Sequence, residues 1–98
     1  MKMQEKLNAT ATQICAHIAG VCGGGGSAEE IETLPAVVNA LVNFPGSPSK
    51  DDAKMVIEAM REFIARTASG KGTPEEVRIL PGIIGAMNYF VGYARFNE

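Results

Sequence analysis

The sequence predicts an all-α fold with four helices, and three observations lead to that prediction. Residues 55–90 align on residues 9–44 without a gap, with Leu80 against Leu34. Each copy contains a helix-capping signature between two apolar segments of helical periodicity. Trp is absent and aromatic residues make up 6% of the chain, so we expect a core of aliphatic and small side chains, which suits helices. The identical pairs are Ile18/Ile64, Ala19/Ala65, Gly24/Gly70, Gly26/Gly72, Glu29/Glu75, Glu30/Glu76, Leu34/Leu80, Pro35/Pro81, Ala40/Ala86 and Phe44/Phe90.

The repeat predicts the domain organisation. At 98 residues the chain is long enough for a single domain, residues 1–98, with a modest core. The repeats span residues 5–44 and 51–96, and residues 45–49 join them. One helix-loop-helix unit has a single apolar face and cannot bury it alone, so we expect two units to cover each other around a pseudo-twofold axis. The sequence leaves open whether they do so within one chain or between two entwined chains.

The first helix is predicted over about residues 5–21. Its apolar stripe recurs at helical spacing and comprises Leu7, Ala11, Ile14 and Ile18. The glycine run at 23–26 then ends the helix, because glycine has a high entropy cost in a helix. A phosphate-binding loop would need a preceding strand and a Gly-Lys-Ser/Thr ending, and this segment has neither.

The second helix of each repeat begins with a capping box. Ser27 and Glu30 form the signature in the first repeat, and Thr73 and Glu76 form it in the second. In this motif the hydroxyl accepts from a backbone N–H and the glutamate bonds back to the cap. Pro74 follows at the first helical position, where a missing N–H has no cost.

Pro35 and Pro81 each lie eight residues after a cap, where proline removes a helical hydrogen bond. In one interpretation, a short helical turn ends near Thr33 and Pro35 opens the main helix. In the other, one helix continues through a kink. We favour the first, because the residue before a proline avoids the α region.

The third and fourth helices follow the Pro- and Gly-rich linker. Ser49 is predicted to cap the third helix, with Asp51 and Asp52 favourable at its positive end. The main stripe of this helix comprises Ala53, Ile57, Met60 and Ile64, and a second flank carries Met55, Val56 and Phe63. The stripe of the fourth helix comprises Val77, Leu80, Ile84, Met87, Val91 and Ala94. Gly82 and Gly85 share a flank that would allow another helix to approach closely.

Charge and cysteine content narrow the functional classes. A net charge of −2 argues against a surface that binds nucleic acid throughout. The chain lacks a secretory-signal pattern and an apolar run of the ~18 residues that a membrane span needs, so we expect a cytoplasmic protein without membrane contact. Cys15 and Cys22 are too far apart along one helix for a disulfide, about 10 Å, and are expected to be buried as small hydrophobic residues.

The sequence predicts no enzyme, cofactor or metal site. His17 is the only histidine and aligns with Phe63, so we expect it to pack in the core. Together with Cys15 and Cys22 it offers three metal ligands where zinc prefers four, at a spacing typical of no zinc site. The paired glutamates that begin the second helices are explained by capping and by the helix dipole.

The second repeat carries two sets of candidate binding residues. Aromatic side chains are enriched at interfaces, and the candidate protein interface comprises Met55, Phe63, Phe90, Tyr93 and Phe96. Phosphate contacts need basic residues, and the candidate nucleic-acid contacts are Arg61, Arg66, Lys71, Arg78 and Arg95. The competing interpretation of the second set is a solvated helical face of mixed charge.

One family resemblance bears on function. The segment Thr12–Ile18, then Ser27 with its glutamates, then Leu34–Val38, resembles the N-terminal segment of Ros/MucR-type bacterial regulators. In that family such a segment mediates self-association and a separate zinc finger reads DNA. This chain has a longer turn before Leu34 and no finger, so the DNA contacts are not carried over. The resemblance implies an oligomerisation module that is present twice.

These observations predict a small, non-enzymatic interaction or adaptor protein. It would act as a homodimer or through a protein partner, by helix-mediated contacts. The alternative is a small nucleic-acid-associated transcriptional regulator that uses the basic residues of the second repeat.

Overall fold

The computed structural model describes residues 2–96, without the side chain of Phe96, and consists of four α-helices. The helices are α1 (Met3–Gly20), α2 (Ala28–Val42), α3 (Lys50–Arg66) and α4 (Pro74–Phe96). A π-helical turn follows α1 at Val21–Gly25 and another follows α3 at Thr67–Lys71. No strand occurs within residues 2–96. The prediction of an all-α fold with four packed helices is confirmed.

Both predicted capping boxes are present. The Ser27 hydroxyl accepts from the backbone N–H of Glu30 at 3.2 Å, and the Ser27 N–H donates to the Glu30 carboxylate at 2.9 Å. Thr73 and Glu76 form the same two bonds at 3.2 and 2.9 Å. Pro74 is the first residue of α4, as predicted. Local sequence therefore fixes where α2 and α4 begin.

The prediction that Pro35 opens a separate helix is wrong. Pro35 lies inside α2 and Pro81 lies inside α4. Each proline removes one backbone donor, but the helix continues because apolar residues on both sides of it are buried in the core. In α2 these residues are Leu34 and Val38, both fully buried.

The glycine-rich segments begin as continuations of the preceding helices. The predicted loop of the first repeat is helical through Gly23, and Gly24 then adopts a φ of 98°. Gly70 has a φ of 91° at the equivalent point of the second repeat. A residue with a Cβ is strained in this left-handed region, so both turns require glycine there.

α1 and α2 form an antiparallel pair, called here the first hairpin. The linker at residues 45–49 returns to the start of α1, where the Ser47 N–H donates to the Asn8 side chain at 2.9 Å. Gly46 passes the Leu7 carbonyl so closely that a Cβ would collide with it. The linker thus packs against the end of the first hairpin where α1 begins and α2 ends.

α3 and α4 form the second hairpin, which lies beside the first. Thr12 in α1 donates to Asp52 in the first turn of α3 at 3.0 Å. Arg66, the last residue of α3, donates to the carbonyl of Cys22 just after α1 at 3.2 Å. These contacts show that α1 and α3 run in the same direction. The serine predicted to cap α3, Ser49, does so by accepting from the Asp52 N–H at 3.1 Å.

α2 and α4 also run in the same direction. Glu32 of α2 accepts from Arg78 of α4 at 3.0 Å. Farther along, a Cβ added to Gly82 would lie 3.3 Å from the ring of Pro35, so the predicted close approach at this glycine is confirmed. A Cβ at Gly85 would meet no atom within 4 Å, so the prediction is wrong there.

The buried residues of the second hairpin are displaced by one position from the repeat. The α-helices of the first hairpin bury Ala11, Cys15, Ile18, Ile31, Leu34, Val38 and Leu41. Those of the second bury Val56, Met60, Phe63, Glu76, Ile79, Ile83 and Ala86, each one residue before the repeat equivalent, and Phe90 in addition. In the π-helical turns, by contrast, Val21 and Thr67 are buried at the same repeat position. One residue along a helix is a rotation of about 100°. The predicted core stripe of α4 is therefore wrong at Val77 and Ile84, which are about half exposed, whereas Met87 and Ala94 of the same stripe pack partly against the core.

Candidate protein-interaction surface

The five predicted interface residues do not form one surface. Phe63 and Phe90 are fully buried, so they are core residues and cannot act as exposed anchors. Tyr93 is half-buried, and its ring centroid lies 5.5 Å from that of Phe90. Met55 is 40% exposed on α3. The Phe96 side chain lies outside the described part of the structure.

A different surface is formed by apolar residues outside the fully buried set, of which Ile57, Ile64 and Met87 also pack partly against the core. We call it the outer apolar face, and it comprises Ile57, Ile64, Val77, Leu80, Ile84 and Met87. Val77 is 53% exposed and Ile84 is 49% exposed, and the other four are half-buried. Sequence periodicity identified all six as apolar stripe residues but assigned them to the core. The one-residue displacement distinguishes these residues from the buried ones. Because this displacement depends on how the helices pack, the sequence carried no signal for it.

The α3 side of this face has a charged rim. Arg61 replaces, at the repeat position, the fully buried Cys15 of the first hairpin. Lys54 lies three residues before Ile57, and Arg61 four residues after it, so both share a flank with this isoleucine. Arg61 also pairs with Glu58 of its own helix at 2.9 Å, with both side chains more than half exposed. An exposed pair of this kind is weak and free to exchange partners.

Two depressions adjoin α4. A cavity of about 70 Å³ lies between the start of α3 and the end of α4, and is lined by Pro48, Ser49, Lys50, Ala53, Lys54, Ile57, Tyr93 and Ala94. A shallower groove between α2 and α4 is lined by Asn39, Pro81, Gly82, Gly85, Ala86, Asn88 and Tyr89. The first borders the outer apolar face through Ile57, and the second lies on the other side of α4.

The junction between the hairpins holds a buried carboxylate. Glu76 has a side chain only 5% exposed and accepts from Arg66 at 2.8 Å, while its other oxygen caps α4 through Thr73. Burial raises the pKa of Glu76, but the Thr73 N–H and the Arg66 guanidinium outweigh burial, so the pKa lies below its ordinary value. Arg66 also lies 5.4 Å from the Phe63 ring centroid. These contacts join the end of α3 to the start of α4 and are structural.

The predicted nucleic-acid contacts are spread over the second hairpin. Arg61, Arg66 and Arg78 each pair with a carboxylate of their own chain. Lys71 lies exposed in the π-helical turn and Arg95 lies exposed near the end of α4. Arg78 and Arg95 are seventeen residues apart, or about 25 Å along the helix. The structure does not bring the five residues together in one patch.

The cysteines and the histidine have different environments. Cys15 and Cys22 are buried as predicted, and burial raises the pKa of each thiol to about 11, which leaves both protonated at neutral pH. His17 is exposed, so the prediction that it packs in the core is wrong. The reason is the displaced burial, which turns this side of α1 away from the second hairpin. Among residues 2–96, no cluster of three or more His, Cys, Asp or Glu side chains could hold a metal ion.

No known family model matches this chain, and neither a curated protein nor a solved structure shows significant similarity to it. In the described part of the chain, none of the helices has the length and apolar character to cross a membrane.

Proposed function

We propose that this chain is a small non-enzymatic interaction protein that self-associates or binds a protein partner through the outer apolar face. One observation carries the proposal. Val77 and Ile84 are about half exposed, whereas their repeat equivalents Ile31 and Val38 are 7% and 0% exposed in the core. The second hairpin thus presents to solvent the residues that the first hairpin uses to hold a neighbour, and apolar patches with a polar rim mark interaction sites.

The relation between the hairpins supports this assignment. A pseudo-twofold axis, as predicted from the sequence, would bury the same repeat positions in both hairpins. We infer instead that the hairpins stack side by side in one orientation. In such a stack each helix is buried on two sides, toward the other helix of its own hairpin and toward the neighbouring hairpin. The direction of the neighbouring hairpin is opposite for the two hairpins. The mean buried directions of equivalent helices therefore differ by roughly a right angle, close to the rotation of about 100° that one residue gives.

A side-by-side stack has two ends, and these ends differ in chemistry. Terminal units of helical repeats need a polar outer face to remain soluble. At the end formed by the first hairpin, His17 and Thr33 are exposed where Phe63 and Ile79 are buried in the second. The end formed by the second hairpin carries the outer apolar face. That end therefore has the composition of a binding surface.

The resemblance to the self-association segment of Ros/MucR-type regulators points in the same direction. The residues that carry it lie in α1 and α2, and the repeat places their counterparts in α3 and α4. An oligomerisation module is therefore the reading that both the resemblance and the surface support.

Site-specific photo-crosslinking tests the proposal. A benzophenone amino acid at position 84 should give a covalent protein adduct in the cells that make this chain. The matched control is position 16, where Ala16 is exposed on α1 at the repeat equivalent of Glu62, away from both ends of the stack. The absence of an adduct at position 84, or equal adducts at both positions, would contradict the proposal.

The alternative function, nucleic-acid association through the second repeat, stays a prediction with less support. Its five candidate residues are spread over the second hairpin and form no single basic patch. A gel shift across a salt series tests it, since DNA binding that weakens steeply with salt would favour the alternative.

A further inference from the structure

We propose that copies of this chain stack head to tail, so that the outer apolar face of one copy receives the first hairpin of the next. This inference rests on the proposed function of the outer apolar face and names its partner. The contact would repeat, between copies, the packing that already joins the two hairpins within one chain. The proposed contact between copies thus continues the interface between the two hairpins.

One surface of the first hairpin is the repeat equivalent of the side of the second hairpin that packs against the first. We call it the opposite face, and it comprises Ile14, His17, Thr33, Val37, Ala40 and Phe44. Their repeat equivalents are the buried residues Met60, Phe63, Ile79, Ile83, Ala86 and Phe90. In the first hairpin Ala40 is exposed, and Ile14, Val37 and Phe44 are half-buried. Ile14, Val37 and Phe44 also pack partly against the core, so the opposite face offers a neighbour Ala40 and the solvent-accessible parts of these three side chains.

Shifting the internal contacts by one repeat gives complementary charges on the α1 and α3 side. Within the chain, Thr12 bonds Asp52. One repeat farther, Thr12 is replaced by Glu58, and Asp52 by Lys6 of the next copy. A hydroxyl–carboxylate hydrogen bond within the chain therefore becomes an ion pair between copies. Glu58 is exposed and bound only to exposed Arg61 in the described structure, so it can exchange partners.

The same shift gives a second complementary pair on the α2 and α4 side. The internal ion pair joins Glu32 to Arg78 at 3.0 Å. One repeat farther, Arg78 meets Glu32 of the next copy, so acid and base alternate along the stack. Among the core residues of α2 and α4, the repeat equivalent of Val38 is Ile84, and that of Ile83 is Val37 of the next copy. The contact between copies therefore retains both the aliphatic residues and the charge pairing of the interface between the hairpins.

A face-to-face dimer of two outer apolar faces fits less well. It would repeat no contact of the interface between the hairpins, and it would set the Lys54 flank of one copy near that of the other, where like charges are unfavourable. The head-to-tail contact instead sets Arg78 of α4 against α2 of the next copy, whose first turns carry Glu29, Glu30 and Glu32. A heterologous contact of this kind forms rings when its rotation closes and filaments when it does not.

The test uses full-length chains and one variant for each face. Ile84→Glu places a charge in the outer apolar face, and Ala40→Glu places one in the opposite face. Both side chains are exposed, so the fold should tolerate both changes, which circular dichroism checks. Ala16→Glu is the matched control. The measured quantity is mass by light scattering over a concentration series, starting from the chain mass of 10.4 kDa.

We expect the wild type and Ala16→Glu to increase in mass with concentration. Ile84→Glu and Ala40→Glu should each require about tenfold or more protein to associate, since a charge is buried without a partner. An equimolar mixture of these two variants should give a dimer that grows no further, because each variant keeps the face that the other has lost.

Three outcomes would overturn the head-to-tail contact. If Ala40→Glu associates like the wild type while Ile84→Glu does not, the contact is a face-to-face dimer and the proposed function stands. If the wild type stays monomeric while position 84 crosslinks to a different protein, the partner is foreign and the proposed function again stands. If the wild type stays monomeric and position 84 gives no adduct, both the inference and the proposed function fail.

Discussion

At equivalent points of the repeat, the first hairpin has exposed His17 where the second has fully buried Phe63. Likewise, Glu30 is exposed, whereas Glu76 is buried and paired with Arg66. The backbone landmarks nevertheless coincide, since capping boxes, π-helical turns and left-handed glycines recur at the same repeat positions. The comparison teaches that local chemistry was duplicated faithfully, while the choice of buried face depends on which side of each hairpin has a neighbour.

The largest difference in the effect of equivalent substitutions on stability should appear at Phe63 and its repeat equivalent His17. Phe63→Ala should lower the free energy of unfolding by about 3–5 kcal/mol, because it removes a fully buried ring and leaves a cavity. His17→Ala, at an exposed site, should change it by less than about 0.5 kcal/mol. Urea unfolding followed by circular dichroism measures both. Equal losses would mean that the two hairpins bury the same face after all.

The next difference concerns the capping glutamates. Glu76→Ala should cost about 3 kcal/mol, because it removes the reciprocal hydrogen bond of the α4 capping box and leaves Arg66 without its buried partner. Glu30→Ala removes only the reciprocal hydrogen bond of the α2 capping box and should cost clearly less. Thermal unfolding of the two variants measures the ranking. A reversed ranking would show that the Arg66 contact adds nothing to stability.

The glycines of the two turns should behave alike, in contrast to the side chains above. Gly24→Ala and Gly70→Ala each place a Cβ at a positive φ, with no atom within 4 Å of it in either case. Both should therefore lose about 1–2 kcal/mol from backbone strain alone. Unfolding midpoints in urea provide the measurement. A loss in only one variant would mean that the two turns are not equivalent.

The smallest effect should appear at acid pH. The folded pKa of Glu76 lies below its ordinary value of 4.5, so its contribution is present above that pH and is lost as the pH falls through the folded pKa. Wild-type stability should thus fall more steeply below about pH 5 than that of Glu76→Gln. Hydrogen bonds from Ser27 also lower the pKa of Glu30, but its exposure should make the change in slope smaller for Glu30→Gln. Identical profiles for Glu76→Gln and wild type would contradict this assignment.

The all-α class, the caps and the linker were predictable because each depends on residues close in sequence. Ser27 and Glu30, for example, form two hydrogen bonds whatever else the chain does. The proline prediction failed for the opposite reason. A local backbone preference at Pro35 was outweighed by burial of the residues on both sides of it, which depends on the rest of the fold.

The sequence predicted which residues of the candidate surfaces are apolar or basic, but it did not predict which of them are exposed or lie together. Periodicity marked both Phe63 and Ile84 as apolar stripe residues, and it offered no means to tell the buried one from the exposed one. The basic residues were visible in the sequence, but their pairing with Glu58, Glu76 and Glu32 was not, because two of these three pairs join different helices.

By itself, the sequence determined that this protein is all-helical with four helices, and it determined where α2, α3 and α4 start and where the left-handed glycines lie. These features follow from hydrogen bonds and dihedral angles within a few residues of each other. Only the tertiary structure decided which flank of each helix lies in the core and which remains at the surface. A helix with apolar residues on two flanks can bury either, and the position of the neighbouring hairpin makes the choice.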